Sequence, residues 1–535
     1  MKTMISSIIL ASCLALPLAS CSDSDVASEQ KDWSTTTYFY SADAAMQDTY
    51  YKPTVGYVGD PMPFFDPVAG DFKVLYLQDF RPNPEGTYHP IWGVSTKDAA
   101  HYTSLGELVS CGTKKSQDAA IGTGSTIYDE ASKLYYTFYT GNKYKPTGDE
   151  SAQAVMVATS PDFKTWTKDR TFLLKGQDFG YDKNDFRDPF VFKGDDGKFH
   201  MLVSTKKSGK GSLAEFVSDD LKNWTDNGVF MTMMWDRFYE CPDLFKMGDY
   251  WYLVYSEIHH AVRRVQYFKG RTLDELKACT ANDVARWPDA HEGFLDSRGL
   301  YAGKTASDGT NRYLWGWCPT RSGKDNTAVG ASPAEPEWAG NLVCYKLIQH
   351  EDGTLTLGQV DAVSEKYNQD VAVEVKESQN MTEADGTYTL AGNTKQPDAY
   401  MLMGRLGNHN KISFTVTTTD KWDKFGISMV RGSDSKKYYT MVVNPENENN
   451  RKVNFEEQGV EGKGFIAGID GYVFARPADN VYNITIYTDN SICVMYINDV
   501  CSYTNRIYGI QKNCWSINSY NGANVKISNL KISQY

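Results

Sequence analysis

Beyond its first twenty residues the chain has no apolar run approaching the ~20 residues that a membrane-spanning helix needs. It lacks a basic excess too. With 55 Lys+Arg against 67 Asp+Glu the net charge is −12, which argues against nucleic acid as the main partner, because phosphate binding needs a basic surface. None of the ten cysteines forms a Cys-x-x-Cys pair, so the usual spacing of a zinc site is missing. No loop has the EF-hand spacing of a calcium site. No metal and no cofactor is therefore expected. A sustained helical period is also missing, apart from a short turn around Thr272-Leu273-Asp274-Glu275-Leu276. What remains is a 535-residue chain, 41% apolar and 23% charged, a globular composition too long for one ordinary core. Aromatics reach 13%, an excess that suits strands and also builds faces that stack on flat ligands or sugar rings.

The amino terminus carries Lys2, an apolar stretch from Met4 to Leu16, and then Leu18-Ala19-Ser20-Cys21. This pattern is a secretory signal. Leu-Ala-Ser-Cys resembles the bacterial lipobox, and the resemblance implies cleavage before Cys21 and lipid attachment to its sulfur. The alternative is an ordinary signal with a chance cysteine. Residues 1–20 are thus expected to be a signal peptide and residues 21–40 a polar, acidic tether. The mature chain would meet the membrane through acyl chains only, on the cell-surface or periplasmic side of a bacterial outer membrane. Eight cysteines are scattered through the rest, and their spacing reveals no disulfide pairing.

Five stretches share a pattern: a short polar or acidic opening, an apolar strand, a turn, and a second strand rich in aromatics. They open at Asp60-Pro61, Gly124-Ser125, Arg187-Asp188-Pro189, Glu240-Cys241-Pro242 and Arg298-Gly299. Gly194-Asp195-Asp196-Gly197 and Gly248-Asp249 supply turn chemistry between strands. Third strands follow at Val155–Thr159 and Phe216–Ser218, each closed by Ser-x-Asp-[Phe/Leu]-Lys-x-Trp, at Ser160–Trp166 and Ser218–Trp224. Such units predict an all-β fold, a five-bladed β-propeller over residues 41–365. The competing architecture is an irregular sandwich. After residue 366 the repeat gives way to alternating strands such as Lys411–Val416 and Cys493–Ile497, which predict a β-sandwich over 366–535.

In a propeller the innermost strand of each blade lines a central funnel, so the residues opening those strands converge. Three of the five openings present a carboxylate: Asp60, Asp188 and Glu240. Converging acids are costly unless one is protonated or a cation offsets them. The cluster suits glycoside hydrolysis, which needs a nucleophile or base and a proton donor of raised pKa. Against this stands the plain role of Asp-Pro as a strand start or turn.

Phe186-Arg187-Asp188-Pro189 and Glu240-Cys241-Pro242-Asp243-Leu244-Phe245 resemble the Arg-Asp-Pro and Glu-Cys-Pro-Asp-Leu-Phe signatures of glycoside hydrolase family 32, the invertase-, levanase- and inulinase-like β-fructosidases. The resemblance spans roughly residues 50–350, and the following sandwich fits the family's architecture. It implies that Asp60 is the nucleophile of a retaining reaction, Glu240 the acid/base, and Asp188 the holder of sugar hydroxyls that stabilises an oxocarbenium-like transition state. It further implies substrate contacts for Gln78, Trp92, Ser125 and Arg187. Asp243 is expected to organise the strand or Glu240. One motif departs: where the family has Trp-x-Asn-Asp-Pro-Asn-Gly, this chain has Tyr57-Val58-Gly59-Asp60-Pro61-Met62-Pro63. Asp-Pro survives and both asparagines are gone, so the sugar site is rebuilt, the substrate differs, or catalysis is weak.

Three readings follow: a retaining β-fructosidase acting on fructans or fructo-oligosaccharides, a five-bladed glycosidase of arabinose or xylose type that inverts configuration, or a surface glycan-binding lipoprotein with a degenerate site. A carbohydrate is the partner in each. The sandwich is expected to buttress the propeller.

Overall fold

The computed structural model describes residues 49–80, 88–232, 238–257, 264–279, 293–320, 338–431, 438–444, 453–458 and 476–535. Cys21 and the leader lie outside the described residues. Strands dominate. The innermost strands of five sheets are Tyr57–Asp66, Ala120–Asp129, Phe186–Lys193, Glu240–Met247 and Tyr301–Ser307. Each touches the next, and the fifth touches the first, so they form a closed ring around an axis. The chain is a five-bladed propeller in its first part. Every blade runs outward through antiparallel neighbours. In the third blade the order is Phe186–Lys193, Phe199–Lys207, Lys210–Ser218, Thr225–Thr232. Closure is hydrogen-bonded: Gly340, which opens the third strand of the fifth blade, pairs with Val58 of the first inner strand.

All five inner strands break register with their neighbour at one height. The irregularities fall between Gly59 and Met62, Gly122 and Gly124, Arg187 and Phe190, Glu240 and Asp243, and Tyr301 and Lys304. These are β-bulges, which bend a strand and re-aim its side chains. Asp60, Asp188, Cys241 and Ala302 take left-handed backbone there, with φ of 27°, 57°, 51° and 52°. The second blade bulges at Thr123 instead, where a Cβ on Gly124 would meet the Phe138 carbonyl oxygen at 1.8 Å.

The Ser-x-Asp turns fold alike. Asp162 Oδ1 accepts from the amides of Lys164 and Thr165 at 2.9 and 2.8 Å, and Asp220 Oδ1 from Lys222 and Asn223 at the same distances. Trp166 and Trp224 donate their indole N–H to the carbonyls of Phe163 and Leu221. The first blade carries a third copy: Asp98 Oδ1 accepts from Ala100 and His101, and Tyr102 OH donates to Ala99 O. Threonine and tyrosine replace the serine and tryptophan there, which hides the copy in the sequence.

The last strand attached to the propeller, Leu355–Gly358, leads through helix Asp361–Lys366 into strand Gln369–Val371 of the second body. That body is two antiparallel sheets with a shared core of Met401, Ile412, Phe414, Phe425, Ile484 and Trp515. Strand His409–Thr418 alternates buried and half-buried at every step, the period of a strand with one face in a core. The cysteines at 241, 318, 344, 493 and 501 are buried thiols, and no disulfide occurs among the described residues.

The two bodies are locked by buried polar groups. Arg506 of the sandwich donates to the carbonyls of Pro319 and Cys318 and to Asn341 Oδ1, at 3.0, 2.9 and 2.6 Å. In return Asp296, on the segment that leads from the edge of the fourth blade to the fifth, accepts from Thr504 N, Thr504 Oγ1 and Ser502 Oγ, each at 2.8 Å. Both side chains are fully buried, where an unmatched partner costs about 1–3 kcal/mol per group. Arg506→Ala should therefore destabilise the chain by about 3–5 kcal/mol, read as a shift in the urea midpoint. A loss under 1 kcal/mol would show that the guanidinium does not hold the two bodies together.

Candidate active site

The bulges bring the predicted acids together. Asp60 Oδ2 accepts from Thr123 Oγ1 at 2.8 Å, and its Oδ1 accepts from Trp317 Nε1 at 2.9 Å. Two donors thus fix the carboxylate and favour its negative charge. Asp188 Oδ2 accepts from the backbone N–H of Cys241 at 2.9 Å, and the Cys241 thiol lies 3.9 Å from Thr123 Oγ1. The Asp188 N–H donates to Thr140 Oγ1, which donates in turn to Thr123 O, so one hydroxyl on a second strand seats both bulges. Glu240 Oε1 accepts from Arg187 Nη2 at 2.9 Å and Oε2 from Tyr301 OH at 2.5 Å. Asp60, Asp188 and Glu240 therefore share one mouth, contributed by the first, third and fourth blades.

Arg187 also reaches Asp185 at 2.7 Å and lies over Phe238, its guanidinium carbon 3.9 Å from the ring centre. Burial opposes its charge, but Glu240 and Asp188 raise its pKa above the ordinary arginine value. A second cation is deeper. Lys304, fully buried on the fifth inner strand, donates to Gly124 O at 2.9 Å and lies 5.2 Å from the Phe190 ring centre. Burial lowers its pKa, and Cys241, Asp243, Asp188 and Asp60 act against that. Asp188 is only 4% exposed. Burial pushes its carboxyl up to about 7, the charges of Glu240 and Asp60 add to the rise, and Arg187 and the Cys241 N–H oppose it. Near neutrality Asp188 is therefore protonated about half of the time, where a free carboxyl would be ionised.

The remaining predicted contacts make other bonds. Ser125 Oγ donates to Pro189 O at 3.0 Å and accepts from Val191 N at 2.9 Å, a bridge between the second and third blades. In the same element it is Thr123 that faces Asp60. Gln78 is fully buried, and its Nε2 donates to Val55 O at 2.5 Å. Trp92, half-buried, packs edge-on against Phe80 at 5.8 Å, beside an apolar cluster that the first, fourth and fifth blades share with the sandwich. Neither bonds to the acids among the described residues. Asp243 Oδ2 accepts from Thr305 N at 2.7 Å and so fastens the fourth inner strand to the fifth, the organising role expected of it. Thr123, Cys241, Tyr301 and Trp317 were not singled out from sequence. Aligning the five openings on the bulge position would have reached Thr123 and Cys241; Tyr301 and Trp317 come from a blade whose opening shows no acid.

Carboxylates gathered at the mouth of a funnel, with a cation and hydroxyl donors between them, are the kind of arrangement that glycoside hydrolysis uses. The glycosyl hydrolases family 32 N-terminal domain matches residues 50–360, and the BT1760-like C-terminal domain of the same family matches residues 353–532. The chain belongs to glycoside hydrolase family 32. It is 27% identical over 318 residues to the insoluble β-fructofuranosidase isoenzyme CWINV2 of Arabidopsis thaliana, covering 54% of this chain and 51% of that protein. To an invertase of Debaryomyces hansenii it is 28% identical over 282 residues, covering 48% and 49%. The chain thus spans about half the length of the curated relatives it matches. Its fold is similar to that of fructan 1-exohydrolase IIa from Cichorium intybus, with TM-score 0.68 at 16% identity over 92% of this chain and 98% of that one. Exo-inulinase from Aspergillus awamori gives 0.67 at 15% identity over 91% and 98%.

The Asp188 shift has a consequence for stability. Its pKa rises from 3.8 unfolded to about 7 folded, so the folded state binds the extra proton. The stabilisation from that proton is complete below about pH 4 and is lost as pH rises through about 7. Asp188→Asn should remove this slope and leave the variant more stable than the parent at pH 8 by a few kcal/mol. Urea unfolding at pH 5 and pH 8 checks it; an unchanged slope would contradict the burial argument.

Proposed function

We propose that the protein is a retaining β-fructosidase that cleaves fructans or fructo-oligosaccharides. The observation that carries this reading is the seating of Asp60 and Glu240 at one mouth in unlike surroundings. Asp60, held by an indole N–H and a hydroxyl, attacks the anomeric carbon and forms a fructosyl-enzyme. Glu240 gives its proton to the leaving oxygen and then takes one from the attacking water. Arg187 and Tyr301 hold Glu240 in place during both steps. Asp188, which carries a proton part of the time near pH 7, both accepts from and donates to sugar hydroxyls. Family membership and relatives named β-fructofuranosidase and invertase support the sugar. The altered surroundings of Asp60, with Gly59 and Met62 in place of two amides, favour a substrate other than plain sucrose.

Asp60→Asn and Glu240→Gln should each lower fructose release from levan and inulin by at least about a thousandfold. NMR of the first-formed sugar should show the retained anomer. An inverted anomer would move the chain to an arabinose- or xylose-type mechanism, and unchanged turnover in both variants would sink the assignment of the acids.

We also propose that Cys21 carries lipid and tethers the enzyme to a bacterial outer membrane. Metabolic labelling with an alkynyl fatty acid should mark the wild type and not Cys21→Ala. Equal labelling of the two would refute the anchor.

A further inference from the structure

Arg187 gives Glu240 only one of its two arms. Nη2 donates to Glu240 Oε1 at 2.9 Å. Nη1 turns away, to Asp185 Oδ1 at 2.7 Å and Gln153 Oε1 at 3.4 Å. The Phe238 ring supports the guanidinium, its centre 3.9 Å from the guanidinium carbon. Asp185 is itself held in place. Its N–H donates to Asp182 Oδ1 at 3.1 Å, and its carbonyl accepts from Thr205 Oγ1 at 2.7 Å. Lys206 Nζ lies 3.1 Å from its other carboxylate oxygen. Burial works against the charge of Asp185, but Arg187 and then Lys206 keep its pKa below the ordinary aspartate value. Charges of alternating sign therefore run from Lys206 through Asp185 and Arg187 to Glu240. Asp185 stands two residues before Arg187, outside the Arg-Asp-Pro motif.

We propose that Asp185 is a positioning residue for the proton donor: by engaging one arm of Arg187 it limits the arginine to a single hydrogen bond on Glu240. The proposal rests on the fructosidase reading, in which Glu240 gives a proton to the leaving oxygen. Arginine and carboxylate groups commonly pair through two parallel hydrogen bonds, a fork that favours the ionised acid. A guanidinium has no acceptor, so a carboxyl proton cannot be directed at it. A phenol accepts as well as donates. With Arg187 confined to Oε1, the other oxygen of Glu240 faces Tyr301 OH at 2.5 Å, a partner that suits the carboxyl and the carboxylate alike. Released from Asp185, Nη1 would be free to join Nη2 in a fork across both oxygens. Glu240 would then be held in the form that has no proton to give.

The test compares kcat/KM on two kinds of fructoside that differ in how much the leaving group needs a proton. Sucrose leaving from 1-kestose or 6-kestose needs one on its oxygen, whereas the fluoride leaving from β-D-fructofuranosyl fluoride is a weak base and needs little help. Asp185→Asn should lower kcat/KM on the kestoses about tenfold or more and on the fluoride by no more than about threefold. Lys206→Met takes the other cation from Asp185 and leaves Arg187 engaged, so it should keep the ratio of the two within about threefold of the parent's. Should Asp185→Asn fail to fold, Asp185→Ser carries the same comparison. Equal losses on both substrates at position 185, the mark of a merely structural role, would overturn the proposal. So would a Lys206→Met enzyme that loses kestose turnover as selectively as Asp185→Asn. A parent that cleaves neither substrate would refute the fructosidase reading first, and the proposal with it.

Discussion

The structure depends on one backbone device, the bulge repeated at the head of all five inner strands. A regular strand would send alternate side chains into the blade on either side. The extra residue turns one side chain per blade toward the axis, and four of the five adopt left-handed backbone to do so. Such conformations cost of order 1–3 kcal/mol at a residue other than glycine and persist where the surroundings over-determine them. Here the surroundings are the ring itself: Thr140 ties the bulge at Thr123 to that at Asp188, and the Cys241 N–H ties the next.

Gathering acids on an axis sets a second constraint. The carboxylates at the mouth would repel one another unless protons, donors and cations were arranged among them. Each acid meets this differently. Asp60 has neutral donors, Glu240 has a guanidinium, and Asp188, the most buried, keeps a proton to about neutrality. Lys304 beneath them adds a buried positive charge. Unlike surroundings for like groups push their proton affinities apart within one site.

The sandwich enters through the fifth blade. Arg506 and Asp296 reach across in opposite directions, and Tyr487, Val494 and Tyr496 of the sandwich join the same apolar cluster as Tyr76, Trp315 and Tyr345 of the propeller. This places the sandwich against the blade that supplies Tyr301, Trp317 and Lys304, so its buttressing reaches the site through one blade.

The class of fold and the convergence of three acids were legible in the residues alone. A period of short strands is local chemistry, and the recurrence of Asp-Pro, Asp-Pro and Glu-Cys-Pro at strand openings was visible without coordinates. Ser125 bridges two blades and Gln78 is buried with its amide on Val55, contacts set by bulges and strand ends that no local pattern fixes. Thr123 and Ser125 would share a face in a regular strand, and the irregularity between Gly122 and Gly124 is what turns Thr123 to Asp60. The Thr96–Tyr102 turn escaped because its shape outlived its residue types. Only the tertiary structure decided which hydroxyl holds Glu240 and which lysine lies beneath the acids. Those partners come from blades tens to hundreds of residues away, and their meeting depends on closure of the ring, which no local pattern encodes.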